Sequence, residues 1–85
     1  MQKHTKIYMD YFDYGIEDFI PCEACGKTAV DIHHIKGRGK GKDVIGNLIA
    51  LCRKHHSMAH NEIPKDEIQL IHNYFIGGDR RIFLK

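Results

Sequence analysis

Residues 52–60 read CRKHHSMAH, and this stretch decides how the rest of the chain must be arranged. It contains one of the three cysteines and three of the seven histidines of the chain. Thiol and imidazole groups are the side chains that most often bind zinc in proteins. The spacing of these four residues therefore decides whether the chain builds one metal site, two sites or none.

Length and composition limit the class of protein. The chain has 85 residues, of which 42% are hydrophobic and 28% are charged, with a net charge of +2. This length favours a single domain over residues 1–85 with a small core, to which a bound metal would add stability. No apolar run approaches the roughly 18 residues that span a bilayer, and the first residues lack an apolar signal core. We therefore expect a soluble cytoplasmic protein with no membrane partner.

Two short motifs predict a structural metal site. Cys22 and Cys25 form CxxC in a turn bracketed by proline and glycine, and Cys52 and His55 form CxxH. Two close pairs of soft ligands can complete a tetrahedral zinc shell, which is the structural type of site. The alternative is a redox-active CxxC with a buried Cys52, but the chain lacks the βαβ pattern expected near such a motif. We predict a structural Zn²⁺ that staples a zinc knuckle to the start of a helix.

The remaining histidines of this stretch predict a second site. His56 and His60 are four residues apart, so they lie on one face of a helix and can chelate one ion. His55 lies about 100° around the helix from His56 and therefore belongs to the other site. A predicted upstream strand, DIHHI, carries Asp31, His33 and His34. A hairpin packed on the helix would bring three neutral nitrogens together with an open position, which is the catalytic arrangement.

Periodicity and turn residues predict an α+β chain. The segments are a helix at about residues 5–14 stopped by Gly15, a hairpin of residues 28–35 and 47–51, a helix from residue 52 to about Asn61, and a helix at about residues 65–75. Between the strands, KGRGKGKDVIG has four glycines and four basic residues, which favours a mobile loop. The tail RRIFLK, residues 80–85, fits either an edge strand or a basic arm.

CEAC, DIHHI, NLIALC and RKHHSMAH, in this order and at these gaps, resemble the HNH endonuclease family. The resemblance covers residues 22–60 and implies a zinc-stapled, treble-clef-like ββα-metal core at about 22–61, with flanking helices. It implies His33, His56 and His60 as ligands of a catalytic ion, His34 as the general base, Asn47 as a brace of the base loop, and Asp31 as support beside the metal histidines. Because His33 and His34 are adjacent, strict alternation sends them to opposite faces, so we expect a bend or bulge at the strand end.

The resemblance implies a metal-dependent DNA endonuclease that leaves 5′-phosphate and 3′-hydroxyl ends. Histidine suits the base role because its ordinary pKa of about 6.5 keeps it mostly neutral near pH 7. Three nitrogen ligands accept Zn²⁺, Ni²⁺ or Mn²⁺ more readily than Mg²⁺, although Mg²⁺ stays possible in the cell. The alternative is a non-catalytic zinc module that binds nucleic acid or protein. Such a module needs only four ligands, whereas the predicted strand and helix of this chain carry four further histidines, His33, His34, His56 and His60.

The glycine-rich loop carries four candidate DNA-binding residues, Lys36, Arg38, Lys40 and Lys42. They form either an ordinary solvated loop or a clamp on the DNA backbone, and the sequence leaves both open. Small proteins that resemble this family are often phage or mobile-element products that work with DNA-processing or packaging proteins. His4 and His72 have no partner at ligand spacing and receive no role. Oligomeric state, cleavage specificity and the choice between nicking and double-strand cleavage also stay open.

Overall fold

A computed structural model describes residues 2–78 and shows a small α+β fold. The elements are helix α1 (Lys3–Phe12), strand β1 (Asp31–His34), a 3₁₀ turn (Ile45–Asn47), strand β2 (Leu48–Leu51), helix α2 (Arg53–Asn61) and helix α3 (Lys65–Ile76). The two strands pair antiparallel and α2 packs on the hairpin, so the predicted α+β class and ββα-metal fold are confirmed. Within the described range, no helix is both long and apolar enough to cross a membrane. The tail RRIFLK lies outside the described residues.

Helix α1 is displaced from the predicted position. It was expected at about residues 5–14 with Gly15 as the stop, but it begins and ends two residues earlier. Asp13 ends the helix in the left-handed conformation, with φ of 59°, and the Tyr14 N–H then donates to the Met9 carbonyl. Aspartate tolerates this conformation better than most residues, so the helix ends before the glycine is reached.

The hairpin is shorter than predicted because the residues before β1 pair elsewhere. Thr28 bridges to Pro21, and the Ala29 N–H donates to the Ile20 carbonyl across 2.9 Å, which closes the knuckle. Only four residues of each strand pair, from Asp31 opposite Leu51 to His34 opposite Leu48. This one-to-one register contains no bulge, but a turn at residues 35–36 follows His34 directly, so of the two expected alternatives the chain shows a bend at the strand end.

Strand β2 is buried on both faces, as its continuous apolar run NLIAL indicates. Ile49 and Leu51 belong to one core cluster together with Ile68 of α3. Leu48 and Ala50 face the other way and form a second cluster with Tyr8 of α1. Each fully buried aliphatic side chain contributes about 1.5–3 kcal/mol. Helices α1 and α3 therefore fix the hairpin from both sides, and the hairpin fixes α2.

A buried polar network joins the knuckle to α1 and α3. The Tyr8 hydroxyl donates to Glu23 Oε2 across 2.6 Å, and His72 Nδ1 lies 2.7 Å from Glu23 Oε1. The other nitrogen of the His72 ring donates to the Ile45 carbonyl across 2.6 Å. Both Glu23 and His72 have side chains that are 0% exposed. His72, which the sequence left without a role, therefore links α3 to the knuckle and to the 3₁₀ turn before β2.

Candidate functional site

The four residues of the predicted structural site converge on one point. Their ligand atoms, one each from Cys22, Cys25, Cys52 and His55, lie within 4.8 Å of one another. The Cys25 and Cys52 sulfurs are 3.8 Å apart, and His55 Nδ1 lies 3.9 Å from the Cys22 sulfur and 3.3 Å from that of Cys52. Ordinary zinc bond lengths at tetrahedral angles separate two thiolates by about 3.8 Å and a thiolate from an imidazole by about 3.6 Å. The cluster therefore fits a structural metal ion.

Local backbone geometry explains this convergence. The Cys22 N–H donates to the Lys27 carbonyl, and Gly26, with φ of 80°, makes the tight turn that brings Cys25 back beside Cys22. Cys52 is the N-cap residue of α2, so His55 follows it on the first turn of that helix. The packing of β2 against the knuckle then brings the two pairs together, since the Glu23 N–H donates to the Ala50 carbonyl.

The titratable groups of this cluster differ in their pKa. Burial raises the pKa of Cys22 to about 11, so this thiol ionises only when a cation compensates. Burial also opposes ionisation of Cys52, but hydrogen bonds from the His55 backbone and neighbouring thiols lower its pKa overall. Burial, followed by the charges of Lys54 and Lys27, lowers the pKa of His55, which keeps that imidazole neutral.

A second cluster contains the three histidines predicted to bind a catalytic ion. One nitrogen from each of His33, His56 and His60 lies within 4.8 Å of the others. His60 Nε2 is 3.2 Å from His56 Nε2, close to the roughly 3.3 Å that separates two imidazoles on one tetrahedral ion. The His33 ring stands edge-on to both, with centroid distances of 5.0 and 5.1 Å. Burial, followed by the charges of His56 and His60, lowers the pKa of His33 to about 4, so it is a neutral, available ligand.

Asp31 lies behind this cluster. Its Oδ2 is 3.0 Å from Nδ1 of His56, while Nε2 of the same ring faces His60. A carboxylate accepts a hydrogen bond, so it fixes the proton on Nδ1 and leaves the Nε2 lone pair for an ion.

His34 lies at the end of β1 and contacts a residue that the sequence did not indicate. Its Nε2 is 2.7 Å from Oδ1 of Asp43, and the hydrogen bond from His34 is the main cause that lowers the Asp43 pKa. His34 makes no other hydrogen bond through its side chain among residues 2–78. The side chain of His34 is 4% exposed and lines the cavity described below. The ring is thus held at Nε2 by a carboxylate at the edge of the cavity.

Asn47 is buried and closes the base of the glycine-rich loop. Its Oδ1 accepts from the Lys36 N–H across 2.7 Å, and its Nδ2 donates to the carbonyls of Gly37 and Lys42 at 3.2 and 3.0 Å. These three bonds tie together both ends of the loop that carries Asp43. The buried amide therefore determines where that carboxylate meets His34.

A cavity of about 430 Å³ is bordered both by the three-histidine cluster and by His34. The side chains that line it include His33, His34, His56, His60 and Arg38. Although β1 sends the rings of His33 and His34 to opposite faces, both reach this cavity because the strand ends at His34. The end of the strand and the turn that follows it are therefore sufficient, and no bulge within β1 is needed. Lys36, Lys40 and Lys42 are exposed on the same loop but do not line the cavity.

Three residues near the cavity had no signal in the sequence. Asp43 sits in a loop whose path depends on Asn47, and His4 comes from α1, far from the histidine motifs in the chain. Lys3 lies close enough to Asp43 to contribute to lowering its pKa. Spacing rules detect ligands on one helix or one turn, whereas these contacts depend on the packing of α1 against the hairpin.

Together, the hairpin, the helix and the two clusters define a small ββα-metal fold with a cysteine-rich cluster that fits a structural metal ion. Comparison with known families agrees, since residues 22–62 match the model described as HNH endonuclease. The match covers slightly less than half of the chain, and it suggests a nuclease-type or nucleic-acid-binding function for this segment.

Among curated proteins, the chain is similar to the uncharacterized protein YdfU of Escherichia coli strain K12. The two are 40% identical over an alignment 48 residues long that covers 49% of this chain and 13% of YdfU. The chain thus corresponds to a small part of that relative. No solved structure matches the chain significantly.

Proposed function

We propose that this protein is a metal-dependent DNA endonuclease whose centre is the cavity lined by His33, His34, His56 and His60. The observation that carries this proposal is the presence of two separate metal-ligand clusters. A zinc module needs only the closed cysteine-rich cluster, whereas this chain also gathers three imidazoles and a fourth, oriented imidazole around one cavity.

His34 is proposed as the general base. The Asp43 carboxylate accepts a hydrogen bond from Nε2, so the neutral form of the ring keeps its lone pair on Nδ1, the nitrogen that Asp43 does not engage. From there it takes a proton from a water molecule, whose oxygen attacks the phosphorus. The bond between phosphorus and the 3′ oxygen breaks and that oxygen takes a proton from solvent water, which leaves 5′-phosphate and 3′-hydroxyl ends. The Asp43 carboxylate also stabilises the imidazolium that results.

His33, His56 and His60 would hold the catalytic divalent ion, with Asp31 orienting His56. When bound, such an ion polarises the phosphoryl oxygen and stabilises the charge on the leaving oxygen. Their nitrogen donor set suits Zn²⁺, Ni²⁺ or Mn²⁺ better than Mg²⁺. The cysteine-rich cluster is proposed to hold a structural Zn²⁺.

DNA is the proposed partner, bound through its backbone. Arg38 lines the cavity, and Lys36, Lys40 and Lys42 extend from the same loop. Such contacts are independent of sequence and weaken steeply with salt. The contacts of α1 and α3 with Glu23 support one folded unit over the described residues, which we propose is a single nuclease domain.

The direct test is cleavage of supercoiled plasmid by the zinc-loaded protein with added Mn²⁺, Ni²⁺ or Mg²⁺. His34→Ala should lower the cleavage rate by about 10²–10⁴-fold, the usual contribution of general-base catalysis. Ser57→Ala is a matched control, because Ser57 is exposed on α2 and does not line the cavity. Plasmid that stays intact with every metal, or equal cleavage by His34→Ala, would favour the non-catalytic binding module instead.

A further inference from the structure

Helix α1 lies outside the segment that matches the HNH family, yet its first turn forms one wall of the cavity. Gln2, His4 and Thr5 line the same space as His33 and His34. This wall therefore comes from a part of the chain that the family match does not cover, and its chemistry bears on what enters the cavity.

His4 is the most buried polar side chain of this wall. The residue is 6% exposed, and neither ring nitrogen has a hydrogen-bond partner among residues 2–78. Despite this burial, His4 lines the cavity. Its ring lies 4.5 Å from that of His34, centroid to centroid. Burial, followed by the charge of His34, lowers the pKa of His4, so it is a neutral N–H donor near pH 7.

The start of α1 is also prepared for an anion. The first helical hydrogen bond is donated by the Lys6 N–H to the Gln2 carbonyl, so the backbone N–H groups of residues 3–5 lack a partner within the helix. Gln2 makes no side-chain capping bond, and the first turn contains no acidic residue. The free N–H groups and the positive end of the helix dipole favour a negatively charged ligand here.

From these observations we propose that the first turn of α1 is a phosphate subsite of the nuclease centre and that His4 is a further catalytic residue. The His4 ring donates an N–H hydrogen bond to a nonbridging oxygen of the scissile phosphate, beside the water that His34 activates. This assignment rests on the proposed endonuclease function. The hydrogen bond strengthens as negative charge builds on the phosphate, so it acts mainly on kcat.

A metal ion between His4, His34 and Asp43 is the competing interpretation, because their ligand atoms lie within 4.8 Å of one another. The 2.7 Å between His34 and Asp43 is a hydrogen-bond distance and is shorter than the roughly 3.3 Å between ligands of one tetrahedral ion. The geometry therefore favours an imidazole held by a carboxylate, with His4 free to contact substrate.

The test uses two variants of similar size that differ in their ability to donate a hydrogen bond, His4→Leu and His4→Gln. In the full chain with both metals supplied, His4→Leu should lower kcat for cleavage of a duplex by about a hundredfold with a smaller change in KM, as expected for loss of one oriented donor. His4→Gln should recover part of that loss. Lys6→Ala is the control on the same helix, because Lys6 is exposed, pairs with Asp10 and does not line the cavity.

Two outcomes would overturn the assignment, and each is separable from failure of the endonuclease proposal. If the wild-type protein cleaves DNA and the Leu and Gln variants match it, His4 has no catalytic role, although the nuclease proposal stands. A titration with inorganic phosphate, followed by the amide NMR shifts of residues 3–5, tests the subsite without catalysis. Shifts that weaken in His4→Leu support it even in a protein that does not cleave, and their absence in the wild type rejects it.

Discussion

Two faces of α2 differ in what surrounds their histidines, although two of these histidines are adjacent in the sequence. His55 is 5% exposed and shares its cluster with three cysteines, next to the core residues of the knuckle. His56, the next residue, is only partly buried and shares its cluster with His33 and the exposed His60. A rotation of about 100° along one helix separates the two environments.

This difference suggests that one cluster stabilises the fold and the other is suited to chemistry. Four protein ligands in a buried setting leave no position for substrate, so the cysteine-rich cluster is suited to holding the fold together. Three imidazoles beside a cavity leave coordination positions open on a bound ion. Their loss should change the free energy of unfolding little. A substitution in the cysteine-rich cluster should therefore unfold the protein, whereas one in the histidine cluster should remove activity and leave the fold intact.

The largest effect is expected for Cys22→Ser. Loss of one thiolate opens the structural shell, and structural zinc contributes about 10–16 kcal/mol to the folding of small zinc domains. The domain should be largely unfolded, with loss of helical circular dichroism and of stoichiometric zinc by elemental analysis. A folded variant that retains its zinc would show that the cysteine-rich cluster is not the structural site.

A smaller effect on the fold, but a large one on activity, is expected for His60→Ala. Two imidazoles would remain, and loss of the ion removes several kcal/mol of transition-state stabilisation, which corresponds to about a thousandfold or more in rate. The circular dichroism spectrum should stay that of the wild type because His60 is exposed. Plasmid cleavage and Mn²⁺ binding by calorimetry measure the loss. If His60→Ala unfolded while Cys22→Ser stayed folded, the roles assigned to the two clusters would be reversed.

The sequence predicts the part of this comparison that depends on local spacing. CxxC, CxxH and the four-residue spacing of His56 and His60 each place ligands on one turn or one helix face, and the apolar run of β2 places the hairpin. The structure brings the same two groups of side chains together.

The parts that the sequence could not provide depend on tertiary packing. The contact of Asp43 with His34 is fixed by the three hydrogen bonds of Asn47, and the position of His4 by the packing of α1 on the far face of β2. The sequence also could not show that β1 needs no bulge, for the same reason. Strand alternation predicts opposite faces correctly, but it does not show that one cavity extends around the strand end.

The smallest expected effect concerns pH and distinguishes the clusters without any assay of cleavage. In the folded protein without a catalytic ion, the pKa of His33 is about 4, below the value of about 6.5 expected in the unfolded chain. Between these values the unfolded chain binds a proton that the folded chain does not, so His33 lowers stability as pH falls from about 6.5 toward 4. One proton contributes at most about 1.4 kcal/mol per pH unit, and partial exposure reduces this. Wild type and His33→Ala are each loaded with a single equivalent of Zn²⁺, enough for the cysteine-rich cluster only, and unfolded in urea between pH 7 and pH 5. The decline in stability should be shallower for the variant, while Ser57→Ala follows the wild type. Because both proteins retain the cysteine-rich cluster, its own pH dependence cancels in the difference. Parallel profiles would mean that His33 is protonated normally in the fold and is not held as a neutral ligand.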